Sequence, residues 1–157
     1  MNVSESWSAQ REALAVETLR ASGHLRLRVR GQSMMPAIWP GDMVEVESCA
    51  LSDTEPDGIV LSFREGRFFL HRFLDRDGDA GYMTRGDSMP FPDPAFRSDA
   101  LLGRVVAVSR NGIPVDPRLR PWSGMIGFLL CHSSWLRRAA LKLRGSSLQA
   151  SADPETA

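Results

Sequence analysis

Residues 24–42 read HLRLRVRGQSMMPAIWPGD, and two signals within this stretch decide the class of fold. The first part alternates without a break, with Leu25, Leu27 and Val29 on one side and His24, Arg26, Arg28 and Arg30 on the other. Successive side chains of extended backbone point to opposite faces, so a period of two predicts a strand with one buried face. The second part resists helix formation, because Pro36 and Pro40 each lack a backbone donor and fix φ. Pro40-Gly41-Asp42 suits a type II turn, with proline second and glycine third. The chain is therefore expected to leave a strand, run through a rigid loop and turn into a second strand, MVEVE at 43–47.

Outward from there the same pattern repeats. Further strands are predicted over 59–64, 67–74, 80–84 and 102–109. Glu65-Gly66 lies between two of them as a hairpin turn, and turns are also expected at 75–79 and at Asn111-Gly112. Helices are predicted only at the ends. Residues 4–21 begin at a plausible cap, Ser4, and carry an imperfect apolar face of Trp7, Leu14, Val16 and Leu19, with Gly23 as the stop. From Trp122 to Arg144, Met125, Phe128, Leu129, Leu136, Ala140 and Leu143 recur at roughly helical spacing. Many short strands with a helix at each end predict a mainly β fold. The expected organisation is an N-terminal helix in 1–23, a β domain over 24–115, an amphipathic helical segment over 116–146 and a disordered polar tail at 147–157.

Composition agrees with one folded domain. The chain has 157 residues, 43% apolar and 24% charged, which excludes wholesale disorder and fibrous classes and is enough to bury a core without staples. Net charge is zero, so no nucleic-acid partner is expected. Cys49 and Cys131 lie far apart without a CxxC, and no histidine pair stands at zinc spacing, so neither disulfide, metal nor cofactor is expected and both thiols are read as buried and free. Glu5, Glu12 and Glu17 interrupt the region where a signal peptide would be apolar, and no stretch reaches the ~20 apolar residues of a membrane span. A cytoplasmic protein is expected. Its C-terminal helix has two readings: a helix covering the core, or a peripheral contact at the inner face of the membrane through Trp122–Arg144, with Trp122, Phe128 and Trp135 at the interface.

Chemistry centres on the loop after the first strand. Ser33 sits behind Gly31 on a path stiffened by Pro36 and Pro40. A serine fixed there can offer its hydroxyl, with backbone N–H groups beside it, to an incoming carbonyl, which is what acyl transfer requires. Ser33, Met34, Pro36, Ile38, Gly41 and Asp42, in that order, resemble the nucleophile box of type I signal peptidases, which the self-cleaving SOS repressors share. The resemblance implies a small coiled β-sheet serine-peptidase domain unlike chymotrypsin. It covers residues 24–112, ending in LLGRVVAVSRNG, which is similar to the family's closing G-R-V strand.

The same resemblance supplies candidates for the other roles. Bacterial members use a lysine base, and the only lysine here is Lys142, in the basic C-terminal segment. His71, in RFFLHRFL, instead looks like the histidine box of the endoplasmic-reticulum and archaeal branch. Imidazole, with an ordinary pKa of about 6.5, is a competent base near neutral pH, whereas an amine at about 10.4 must be lowered by several units. MTRGDSMPFPDP at 83–94 resembles the family's G-D segment, and by its spacing Asp93 becomes the carboxylate that orients the base and Asp87 the supporting one, with the reverse assignment open. Two features depart from the family: there is no transmembrane anchor, and Gly31 stands where many bacterial members carry a hydroxyl residue. The oxyanion would then rest on backbone N–H groups of Ser33 and a neighbour, with Gly31, Met34 and Pro36 supporting the loop.

The expected function is a serine endopeptidase that cleaves a peptide or protein precursor, with Ser33 as nucleophile, His71 as base and Asp93 behind it. The alternative is a non-catalytic peptide-binding module on the same scaffold, within a maturation or export complex. A self-cleaving repressor is disfavoured: only 32 residues precede Ser33, and the only Ala-Gly pair, Ala80-Gly81, lies downstream of His71.

Overall fold

The computed structural model describes residues 3–78 and 81–118. It is mainly β: one open antiparallel sheet and one long helix, α1 (Val3–Ser22). The strands are β1 (His24–Arg28), β2 (Met43–Glu47), β3 (Ile59–Arg64), β4 (Arg67–Asp77), β5 (Gly81–Arg85), β6 (Phe96–Arg97), β7 (Leu101–Arg110) and β8 (Ile113–Pro114). Their order across the sheet is β1-β2-β7-β3-β4-β5-β6, with β8 paired to β7. Short 3-10 turns at Leu51–Asp53 and Ser98–Ala100 complete the described chain.

The turns form where backbone chemistry demands them. Gly41 has φ +95 and Asp42 N–H donates to Trp39 O at 3.0 Å, closing the type II turn. Glu65 and Gly66 both have positive φ, +52 and +73, as do Asn111 and Gly112, +52 and +79. That combination makes a type I′ turn, whose twist matches the strands it joins.

Two cores flank the sheet, and β3 feeds both. Ile59 and Leu61 point into a cluster with Val16, Leu19, Val44, Val46 and Ile38, while Val60 points into a second cluster with Phe73, Tyr82 and Phe96. Ser62, fully buried in an apolar setting, is satisfied by Tyr82 Oη donating at 2.7 Å. Three register shifts bend the sheet, between Glu45 and Val46, Leu61 and Ser62, and Phe73 and Asp75. At one of these bends Gly103 lies so close to β2 that a Cβ there would collide with the Glu47 carbonyl.

Some expectations need correction. Leu14 is 63% exposed and does not share the buried face of α1 on which Val16 and Leu19 lie. The first strand ends at Arg28 rather than 30: Val29 N–H still bonds in register to Asp42 O, but its carbonyl accepts from Gly41 while Asp42 N–H turns back to Trp39, which ends the regular ladder. Cys49 is only half-buried, with burial still raising its thiol pKa. The helix expected from Trp122 to Arg144, the membrane contact assigned to it, Lys142, Cys131 and the tail at 147–157 lie outside the described residues. Among the described residues, no helix is long and apolar enough to cross a membrane.

Candidate active site

The loop that carries Ser33 is tied at its base, along its length and at its tip. Val29 N–H donates to Asp42 O and Gly41 N–H to Val29 O, both at 2.8 Å, which closes the two ends. The Asp42 carboxylate is buried and receives Trp39 N–H at 2.8 Å and the Arg110 guanidinium at 2.9 and 2.7 Å. Met34, Met35 and Ile38 plunge into the protein at 2, 0 and 0% exposure, so the apolar half of the loop anchors what the polar half presents. The Pro36 carbonyl accepts Trp39 Nε1–H at 2.8 Å.

A second loop, between β5 and β6, clamps the first. Ser88 N–H donates to Ser33 O at 2.8 Å, and Ser88 Oγ donates to Gln32 O at 3.0 Å. Gly86 packs against the same point: a Cβ there would lie 2.7 Å from Ser33 O and 2.9 Å from Ser33 Cβ. No side chain larger than hydrogen fits at 86 while Ser33 stays where it is.

His71 comes from β4, opposite Val60 of β3. It is buried, and the edge of Phe69 packs near its ring at 6.0 Å between centroids. Its Nε2 lies 2.9 Å from Ser33 Oγ and its Nδ1 2.6 Å from Asp93 Oδ2. Thr84 Oγ1 donates to the same Asp93 oxygen at 2.6 Å, and Asp93 N–H donates to Thr84 O at 2.8 Å. Burial pushes the Asp93 carboxyl pKa up, but the His71 and Thr84 hydrogen bonds, with the charges of His71 and Arg64, outweigh it and hold the group below its ordinary value. An ionised Asp93 can only accept, so Nδ1 carries the proton and donates it to Asp93. The Nε2 lone pair is thereby left facing the Ser33 hydroxyl, the arrangement in which a serine can be deprotonated as it attacks.

Of the residues singled out by sequence, Ser33, His71 and Asp93 come together. Asp87 does not join them. It is bound in two places by the next residue along β4, Arg72, with Nε to Oδ1 at 2.8 Å and Nη2 to Oδ2 at 2.7 Å. Both side chains are buried, and Arg72 also donates to Asp57 O and Pro117 O. Strand alternation explains the split, since His71 and Arg72 face opposite sides. The N–H groups of Ser33 and Met34 donate to no acceptor among the described residues, which leaves two donors beside the hydroxyl. Gly31 lines the cleft next to Ser33, but nothing lies within 4 Å of where its Cβ would be, so packing does not require glycine there.

Sequence reasoning missed Thr84, Gly86, Ser88 and Arg64. Thr84 carried a signal: it is a polar residue two positions from Tyr82, on the inward face of a strand, and a buried hydroxyl needs a partner. Arg64 lies over Phe96 at 4.1 Å and donates to Pro94 O at 3.1 Å, holding the segment beside Asp93. No signal in the sequence marked that role.

An open cleft of about 1270 Å³ leads to Ser33 and His71. Its two long walls are the stretches 27–31 and 67–71. Both present a strand edge unpaired among the described residues: β1 pairs only with β2, and β4 pairs with β5 only from Arg72 onward. Among the described residues, no cluster of His, Cys, Asp or Glu could hold a metal ion. No family model matches the chain, and no curated protein matches it.

Proposed function

We propose that the chain is a serine endopeptidase, with Ser33 as nucleophile, His71 as general base and Asp93 as the carboxylate that orients it. The observation that carries this reading is the continuous hydrogen-bonded path from Ser33 Oγ through both nitrogens of His71 to Asp93, at 2.9 and 2.6 Å, at the wall of an open cleft. A peptide is the substrate this cleft suits, because an extended chain can pair with either free strand edge and bring its carbonyl to Ser33.

The chemistry follows from the atoms present. Ser33 Oγ attacks the carbonyl carbon while His71 Nε2 takes its proton, and Asp93 stabilises the imidazolium that forms. The carbonyl oxygen becomes an oxyanion, for which the Ser33 and Met34 N–H groups are the available donors. His71 returns the proton to the leaving amine as the C–N bond breaks. Water then repeats the sequence on the Ser33 ester and releases the acid. A module that merely held peptides would not need a serine hydroxyl bonded to a histidine whose far nitrogen is itself bonded to a carboxylate.

A fluorophosphonate probe is expected to label Ser33, as read by peptide mapping, and Ser33→Ala to lose both labelling and peptide hydrolysis with thermal unfolding almost unchanged. Full hydrolysis by Ser33→Ala removes the proposal.

A further inference from the structure

The walls of the cleft carry charge largely of one sign. Arg28, Arg30 and Arg67 line it, against one carboxylate among the described residues, Glu12. Several arginines elsewhere find carboxylates: Arg26 with Glu45 at 3.3 Å, Arg104 with Glu47 at 3.2 Å, Arg72 with Asp87 and Arg110 with Asp42 at 2.7 Å. Arg28, Arg30 and Arg67 are exposed and have no carboxylate within 4.0 Å among the described residues.

Register explains why they stand alone. The β1–β2 ladder sets Arg26 opposite Glu45, but it sets Arg28 opposite Met43, and Arg30 lies past the end of the ladder. Across the β3–β4 hairpin Arg67 falls opposite another cation, Arg64, which is engaged by Phe96 and the Pro94 carbonyl. Like charges directly opposite one another cost stability unless a counter-charge arrives. Both free strand edges of the cleft are thus flanked by cations that this part of the fold leaves unmatched.

Resting on the peptidase reading, we infer that the peptide this cleft takes is acidic, with Asp or Glu at alternate positions of the segment that pairs along residues 27–31. A strand added to the free edge of β1 sets every second side chain on one face. Carboxylates two residues apart then stand across from Arg28 and Arg30, as Glu45 stands across from Arg26 on the other side. Arg30 and Arg28 precede Ser33 by three and five residues, so at ~3.3 Å per residue the acidic pair falls within about six residues of the cleaved bond. Arg67 on the opposite wall adds to the same preference.

The test uses three peptides of one apolar frame carrying Glu-Xaa-Glu, Gln-Xaa-Gln or Lys-Xaa-Lys. Binding to the full chain bearing Ser33→Ala is read by fluorescence anisotropy, and cleavage is read with the unaltered chain. The Glu peptide is expected to bind about tenfold more tightly than the Gln peptide, the sum of a few cross-strand ion pairs, with an advantage that shrinks as salt is added. Arg28→Glu with Arg30→Glu should pass the preference to the Lys peptide. Arg28→Gln with Arg30→Gln should abolish it, which keeps the test sound if the reversal does not fold. Equal binding of the Glu and Gln peptides, no measurable binding of any of them, or tighter binding of a single-stranded oligonucleotide overturns the inference. Charge-selective binding without cleavage of any peptide supports it and sinks the peptidase reading, whereas cleavage without charge preference does the reverse.

Discussion

Gly86→Ala is the sharpest probe of how Ser33, the proposed nucleophile, is held. The added methyl would lie 2.7 Å from Ser33 O, 0.7 Å inside the 3.4 Å at which ordinary contact begins, and 2.9 Å from both Ser33 Cβ and Met89 Cγ. Met89 is 40% exposed and can swing away. Ser33 cannot move as freely, because Ser88 fixes the Ser33 and Gln32 carbonyls while Met34 and Met35 are locked in the core. The strain must therefore either break the Ser88 bonds or carry Ser33 Oγ away from His71. Overpacking of this kind costs about 1–3 kcal/mol in stability. The effect on turnover should be larger, about 10²-fold, since a displacement approaching 1 Å at a reacting atom costs that much. The assay pairs thermal unfolding with the rate of fluorophosphonate labelling and with hydrolysis of a peptide that Ser33→Ala fails to cleave. A folded Gly86→Ala chain that labels and cleaves at the unaltered rate would refute the claim that the two loops position Ser33 by contact.

On the proposed mechanism Asp93→Asn should lower turnover by about 10²–10⁴-fold, the scale of losing a triad carboxylate. Turnover equal to that of the unaltered chain would count against Asp93 as the orienting group. In the unaltered chain the depressed Asp93 pKa has its own signature: its stabilising contribution is present above the ordinary value of 3.8 and is lost as pH falls through the lower folded value, so acid titration should loosen this site only below about pH 4. Asp87→Ala leaves the buried Arg72 guanidinium without its counter-charge, so it should cost about 3–5 kcal/mol in denaturant unfolding; a loss below 1 kcal/mol would contradict that reading. Tyr82, the one tyrosine of the chain, is fully buried, and burial pushes its pKa up to about 12 against the pull of Ser62. Native protein holds that proton while unfolded chain loses it near 10, so stability should fall as pH rises from about 10 to 12, and tyrosinate absorbance growing at pH 10 in still-folded protein would contradict the burial.

Local rules made most of the sheet readable. Alternation in 24–30 and the obligatory φ values at Gly41, Glu65-Gly66 and Asn111-Gly112 act within a few residues, so they show in the sequence. What failed depends on distant partners. β6 and β8 are two residues each and exist only because β5 and β7 offer them an edge. The insertion of β7 between β2 and β3 leaves no local trace, and neither does the exposure of Leu14, which is decided by where α1 meets the sheet. Ser33, His71 and Asp93 stand out only by likeness to a family's motifs, since local patterning says nothing of partners 38 and 22 residues apart that share a hydrogen bond.

The segment 84–93 explains why the rest of the site was illegible. Thr84 and Asp93, at its ends, bond to each other through both backbone and side chain, so the segment closes on itself and presents one carboxylate to His71. Between them, Gly86 and Ser88 press against and bond to the Ser33 loop, and Asp87 grips Arg72, next to His71 on β4. One closed loop thus sets the position of the hydroxyl, the orientation of the imidazole and the attachment of the strand that carries it. Substitutions within 84–93 should therefore disturb stability and turnover together, whereas Ser33→Ala, which removes only an oxygen from a half-buried side chain, should separate them. On the proposed reading, that contrast marks a Ser33 hydroxyl positioned by its surroundings rather than by its own bonds.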